Sequence, residues 1–330
     1  MAIQKVGSVL FLQFLLVVLV SDSINAQYLR QGYYKNTCLD AESIIWKTIR
    51  QYISRAPTLA AAMLRMHFHD CFVRRCDGSV LLKSTSNNQA EKDATPNLSL
   101  RGFDLIDAAK SAVEYKCPGV VSCADILALV ARDAVSIING PFWEVPTGRR
   151  DGRVSLASEA LTKLPPPFAS ISQLKLMFSG KGLSVKDLVV LSGAHTIGVS
   201  HCSSFSNRLY NFTGVGDQDP SLDSEYAANL KTNKCKSPND NTTKVEMDPG
   251  SRGTFDLSYF TLLLKRRGLF ESDAALTTST TTKSFIQQLV QGSLKDFLAE
   301  FANSMEKMGR INVKTGTQGE IRKVCALVNT

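Results

Sequence analysis

Histidine is scarce in this chain, with four residues among 330, and tryptophan is scarcer still, with two. No run of five like charges occurs, and no basic stretch is interleaved with aromatics. Despite a net charge of +8, the pattern therefore argues against nucleic-acid binding. There is no CxxC pair, which disfavours a zinc finger, and no CxxCH for covalent haem attachment. Period-two alternation never extends beyond a few residues, and neither an internal repeat nor a flexible linker is visible.

Long apolar runs are also missing, with one exception. "VGSVLFLQFLLVVLV" follows Lys5 and leads into "SDSINA". It is shorter than the roughly 20 apolar residues a membrane span needs, and Gln13 interrupts it. A basic residue, an apolar core and a small residue at the cut describe a secretory signal, residues 1–26, cleaved after Ala26. No second run of that length follows, so the mature chain is expected to be soluble, without a membrane span. Residues 27–330 are expected to form one domain. Removing Lys5 and Asp22 leaves the charge at +8. A basic secreted protein can adhere to acidic polysaccharide or membrane surfaces, although a solvated basic surface explains the charge equally well.

All eight cysteines follow the signal, and an even count in an oxidising compartment suggests four disulfides among 105 pairings. Only Cys71 and Cys76 are close enough to suggest a short loop. What is abundant is helical periodicity. "SIIWKTIRQYIS", "TLAAAMLRMHF", "RGFDLIDAAKSAVEYK" and "SCADILALVARDAVSII" place apolar residues at three-to-four spacing. Ser122 with Asp125, Ser170 with Gln173 and Ser184 with Asp187 read as N-caps. "DLSYFTLLLKRRG" is expected to end its helix in two arginines and Gly268. A last long pattern, Thr282 to Met308, is expected to break near Gly292. The fold class is mainly α.

The stretch "RMHFHDCFVRRCDGSV" concentrates the chemistry. On a helix Arg65 and His69 share a face while His67 projects elsewhere. A cation beside a neutral imidazole suits proton abstraction with stabilisation of developing negative charge. An ordinary exposed Arg/His pair is the alternative, weakened by the apolar neighbours Leu59, Ala62, Met63, Met66 and Phe68. In "LSGAHTIG", His195 sits among Gly193, Ala194 and Gly198, small residues that let a flat object approach the backbone. It suits a single axial ligand or a satisfied core histidine equally. His201, beside Cys202, has no evident partner and reads as structural. Asp70, Asp77 and Ser79 offer oxygen ligands for part of a calcium shell, as do Asp248, Ser251 and Asp256, though neither loop is an EF-hand. Caps and turns are the plainer explanation of either loop alone.

Taken together, "RMHFHDCFV", "CDGSVLL", "EKDATPNLSLRGF", "CPGVVSCADILALVARDAV", "GRRDG", "LSGAHTIG" and "FESD" give the chain, from Gln27 to Asn329, its resemblance to the secretory plant peroxidases of class III. That resemblance implies a haem peroxidase fold, with at least ten helices in distal and proximal lobes around one haem b and very little β. It implies His69 as distal base and proton acceptor, Arg65 as transition-state stabiliser, Phe68 against the haem, and Asn97 accepting from His69 with Glu91 behind it. His195 becomes the axial iron ligand, Asp273 its partner, and Pro165 part of the aromatic-donor site. One calcium would use Asp70, Asp77, Ser79, the carbonyls of Val73 and Arg75, and Glu91 through water. The other would use Thr196, Asp248, Ser251, Thr254 and Asp256. The implied disulfides are Cys38–Cys117, Cys71–Cys76, Cys123–Cys325 and Cys202–Cys235.

The implied activity is reduction of hydrogen peroxide with two one-electron oxidations of small aromatic, phenolic donors. The implied protein is a monomer, secreted to the wall rather than held in the vacuole. Arg75 departs from the family's usual Gly, so a strained backbone and weaker distal calcium are expected. Asn97 begins an N-glycosylation sequon but has a buried role; Asn211 and Asn241 are the better acceptors. A calcium-stabilised binding protein without turnover would not need Arg65, His69, Asn97, His195 and Asp273 together. An electron carrier would have no use for a distal base.

Overall fold

A computed structural model describes residues 28–330; the expected signal segment lies outside the described residues. The first four long helices are α1 Ala41–Arg55, α2 Leu59–Arg74, α3 Phe103–Lys116 and α4 Cys123–Ile137. Each residue of α4 from Cys123 to Val135 is buried, as an almost uniformly apolar sequence requires. Its start is set by Ser122, whose side chain accepts from Asp125 N at 3.1 Å. The free N–H groups of Cys123 and Ala124 donate to the Asp151 carboxylate at 3.1 and 2.8 Å, a negative charge at a helix N-terminus. Of the charged groups on α4, Asp125 pairs with Arg149 at 2.8 Å and Arg132 with Asp133 Oδ1 at 2.8 Å, while Asp133 Oδ2 has no partner among the described residues. Helices α1, α2 and α3 pack on this post.

The second half comprises α5 Ala157–Lys163, α6 Ile171–Ser179, α7 Val185–Ser192, α8 Ser206–Tyr210, α9 Ser224–Asn233, α10 Ser258–Leu264, α11 Glu271–Ala275, α12 Thr280–Gln291 and α13 Leu294–Gly309. Capping boxes at Ser170/Gln173 and Ser184/Asp187 open α6 and α7 as the sequence predicts. The expected break falls at Gly292 and Ser293, between α12 and α13. Helices α6, α12 and α13 surround α7, and α13 also reaches α2. Among the described residues the only sheet is a hairpin-sized antiparallel pair, β1 Val199–His201 with β2 Lys244–Glu246. The four disulfides join the pairs that the resemblance implied.

One boundary differs from expectation. Helix α10 ends at Leu264, before its arginines, and Arg266 rather than Gly268 takes the left-handed conformation, at φ 59°. Arg266 N bonds to Leu263 O and Arg267 N to Leu262 O, at 2.9 and 2.8 Å, which is a Schellman closure. Gly268 is needed for space instead. A Cβ there would lie 2.6 Å from Leu263 Cδ2 and 2.8 Å from Asp273 Cβ.

Candidate active site

Helix α2 is buried along most of its length, so Arg65 and His69 are not an ordinary surface pair. Four residues apart, they rise from one face and meet the same short segment. Arg65 donates through Nη1 to Ser99 Oγ at 2.9 Å and through Nη2 to the Pro96 carbonyl at 2.7 Å. His69 Nδ1 lies 2.5 Å from Asn97 Oδ1. The Asn97 amide donates through Nδ2 to the Glu91 carbonyl at 2.7 Å, so its Oδ1 must be the acceptor. That fixes the tautomer: the proton sits on Nδ1, and Nε2 is left bare.

Burial, reinforced by the Arg65 charge, lowers the His69 pKa to about 3 against the opposing bond to Asn97. The imidazole is therefore neutral at any ordinary pH. Burial also lowers Arg65 to about 10, with Arg101 contributing, which leaves it a cation at neutrality. Phe68 is half-buried, edge-on to His69 at 5.5 Å and 4.4 Å from Phe72. His67 is not part of this group. It is buried, 3.7 Å from the Cys71 sulfur, and burial with the Arg149 charge lowers it to about 3.

His195 sits on the short turn Gly193–Thr196 that continues α7. Its Nδ1 is 2.8 Å from Asp273 Oδ1, and its side chain is 36% exposed, so the other edge of the ring is open. The Asp273 carboxylate also accepts from Tyr259 Oη at 2.8 Å and from Phe270 N at 2.9 Å. Burial pushes Asp273 up, but His195 beside it and these donors bring it below the ordinary value. An imidazole held at Nδ1, with a carboxylate behind it and Nε2 without a partner among the described residues, fits axial ligation of a haem iron. Two of the small residues around it also make room for other parts of the chain. A Cβ on Gly193 would lie 2.7 Å from Phe297 Cζ, and one on Gly198 2.9 Å from Ala61 Cβ on α2. These glycines admit protein, and Gly198 docks the proximal segment onto the distal helix.

The two oxygen-rich loops also assemble. Asp70, Asp77, Ser79 and Glu91 are all buried. Gly78 N donates to Asp70 Oδ2 at 2.9 Å and Ser79 N to Asp77 Oδ1 at 3.1 Å. Ser79 Oγ and both Glu91 carboxylate oxygens have no partner among the described residues. Burial, then neighbouring carboxylates, pushes Asp70 up and Glu91 up to about 8. Orphaned buried oxygens in an excess of negative charge fit a hard divalent cation. On the other side, Thr196 Oγ1 lies 3.1 Å from Asp256 Oδ1, 3.3 Å from Asp248 Oδ2 and 3.4 Å from Thr254 O. Ser251 Oγ donates to Asp256 Oδ2 at 3.1 Å. Burial and then the Asp256 charge raise Asp248 to about 6. Among the described residues no three His, Cys, Asp or Glu side chains form a metal cluster alone, so either ion would need hydroxyl and carbonyl oxygens. Arg75 occupies a glycine-like backbone, at φ 72° and ψ 44°.

Several residues escaped the sequence reading. Tyr259 gave no signal in "DLSYFTLLL" beyond helical spacing. Ser99 was legible only as the third residue of a sequon, yet it binds Arg65 while Asn97 is buried at 1% exposure. Asn211 and Asn241 are exposed. His201 lies where burial and the charges of Lys244, Arg101 and Arg65 lower its pKa, so it is not remote from the distal cation. Pro165 is half-buried in a loop tied to α11 by Ser272 N donating to Pro167 O at 2.9 Å.

With this geometry in hand, comparison with known proteins is specific. A family profile described as "Peroxidase" matches residues 45–292. Peroxidase 3 of Arabidopsis thaliana is 63% identical over 97% of this chain and 98% of its own length. Peroxidase 39 of the same plant is 62% identical over 96% and 98%. Peroxidase 1 of Oryza sativa subsp. japonica is 55% identical over 96% and 97%.

Proposed function

Since the chain belongs to the plant peroxidase family and reduces hydrogen peroxide while oxidising donors, we propose that His69 is its distal base, Arg65 the stabilising cation and His195 the ligand of a haem b iron. The observation that carries the assignment is the His69–Asn97–Glu91 chain, with contacts of 2.5 and 2.7 Å, which leaves a neutral, bare Nε2 beside a cation.

When bound, haem b supplies the redox-active iron that takes up the oxidising equivalents of peroxide and returns them to donors one electron at a time. The protein's own part is proton management. His69 Nε2 accepts the proton from one peroxide oxygen and delivers it to the other, so that the leaving oxygen departs as water. Arg65 stabilises the negative charge that develops on that oxygen before the proton arrives. Asn97 and Glu91 hold the ring through both transfers. Asp273 gives His195 anionic character, which favours oxidised iron.

The donors are phenolic, approaching near Pro165, with Phe68 packed at the haem. Asp70, Val73, Arg75, Asp77, Ser79 and Glu91 would hold one calcium, and Thr196, Asp248, Ser251, Thr254 and Asp256 the other. The protein is a secreted monomer cleaved after Ala26, glycosylated at Asn211 and Asn241, and its basic surface meets acidic wall polysaccharide. Among the described residues no helix is long and apolar enough to cross a membrane.

The visible spectrum of the purified protein, before and after one equivalent of peroxide, tests the haem assignment. A Soret band that shifts with peroxide is expected; no band removes haem from the account, and an indifferent band leaves an electron carrier. His69→Ala should then slow the peroxide reaction about 10³-fold while sparing donor oxidation. A wild-type rate in that variant would overturn the role of His69.

A further inference from the structure

The C-terminal stretch after α13 places a lysine on one of the distal oxygen ligands. Lys314 Nζ lies 2.6 Å from Asp77 Oδ2, bridging residues 237 apart in sequence. The Asp77 side chain is fully buried and that of Lys314 31% exposed. Asp77 cannot swing away from this contact. Its Oδ1 accepts Ser79 N at 3.1 Å, its carbonyl accepts Gly152 N at 2.7 Å, and a Cβ on Gly152 would lie 2.2 Å from Oδ2. The lysine is anchored as well, because its carbonyl accepts Arg150 N at 2.9 Å. Both partners are thus held by backbone they do not control.

We propose that Lys314 acts as a built-in rival to the distal divalent cation, sharing the Asp77 carboxylate with it and setting that site to bind calcium weakly. The inference rests on the reading of Asp70, Asp77, Ser79 and Glu91 as a cation site. Affinity in such oxygen sites follows the number of ligand charges and the rigidity of the cage. An ammonium on one of three carboxylates cancels part of the charge that attracts the metal. The same contact stitches the loop after α2 to the C-terminal stretch without any metal. The lysine therefore lowers the gain from binding the ion and softens the loss when it leaves. This effect is independent of Arg75, whose influence is through the backbone.

The test uses the haem-loaded mature protein, stripped with chelator and titrated with Ca²⁺ by calorimetry, with metal content measured in parallel. Lys314→Met keeps the apolar stem and removes the charge. Its distal site should bind Ca²⁺ about tenfold more tightly than wild type and release it more slowly to chelator. Its calcium-free form should melt lower than calcium-free wild type. Lys314→Arg should stay near wild type, and Lys314→Gln replaces the Met variant should that fail to fold. The other calcium site serves as internal reference. Two ions per chain with equal or weaker distal affinity in the uncharged variant overturns the proposal alone. A single ion per chain in wild type and variant, unaffected by Ser79→Ala, overturns the distal cation site and the proposal with it.

Discussion

Tyr259 and His195 meet at the same atom: the tyrosine hydroxyl and the imidazole Nδ1 each lie 2.8 Å from Asp273 Oδ1. The two donors therefore compete for one oxygen, and the hydroxyl moderates how strongly the carboxylate can pull on the imidazole proton. Tyr259 is nearly fully buried, and burial, then the Asp273 charge, pushes its own proton affinity well above the usual phenol range, so it is a permanent donor. The proximal pair is in fact a triad.

Tyr259→Phe should therefore strengthen the remaining bond from His195. The imidazole gains anionic character, oxidised iron is favoured, and the reduction potential of the haem-loaded protein moves to more negative values. A buried hydrogen bond is lost as well, so stability should fall by about 1 kcal/mol. Spectroelectrochemistry alongside thermal melting checks both; an unchanged potential would separate Tyr259 from the iron ligand.

Ser99→Ala should lower the rate of peroxide cleavage by about tenfold, since Arg65 Nη1 loses its acceptor and the guanidinium is less well positioned. Donor oxidation should be unaffected. The substitution also destroys the sequon that begins at Asn97. With Asn97 buried, the glycan mass of the protein should not change, and intact-protein mass spectrometry of the variant checks this.

His67 offers a pH test away from the reacting atoms. Its pKa is about 3 in the folded protein, below the ordinary value of 6.5. Under pH 6.5 the unfolded chain takes a proton that the folded chain refuses, so stability is full above 6.5 and declines as pH falls toward 3. Between pH 6.5 and 4.5 this one group should cost about 2 kcal/mol. His67→Gln should flatten the acid limb of a melting-temperature profile by a corresponding amount. A variant that parallels wild type would contradict the buried neutral assignment.

Arg75→Gly removes a side chain from a left-handed backbone position, at φ 72°. Stability should rise by about 1 kcal/mol, and the distal cation should bind more tightly as the loop relaxes. Melting curves with and without calcium distinguish the two effects, because relief of backbone strain is present in both and tighter binding only in one.

The helical periods of α1 to α4, the serine caps and the break at Gly292 were legible because they depend on neighbours in sequence. So were Arg65 and His69, which a single helix turn aligns. The role of Asn97 came through family resemblance, and its geometry depends on a turn that periodicity does not describe. Tyr259 and Lys314 were invisible for a physical reason. Each acts on a residue whose place is set by tertiary packing: Asp273 lies on another helix, and Asp77 is 237 residues away. Gly193 and Gly198 were readable as places of close approach and Gly268 as a helix end, but the groups that press on all three were not readable. Those groups are Phe297, Ala61 and Leu263, and only the fold brings them there.

The disulfides carry a topological consequence. Cys38–Cys117 closes one macrocycle, with Cys71–Cys76 nested inside it; Cys123–Cys325 closes another, with Cys202–Cys235 inside. Arg65, His69 and Asn97 lie on the first ring, and His195, Tyr259 and Asp273 on the second. Only Pro118 to Ser122 joins them as a single strand of chain. A protease that nicks either ring once leaves it in one covalent piece, whereas a cut in that short bridge leaves His69 and His195 on separate molecules held together by packing alone.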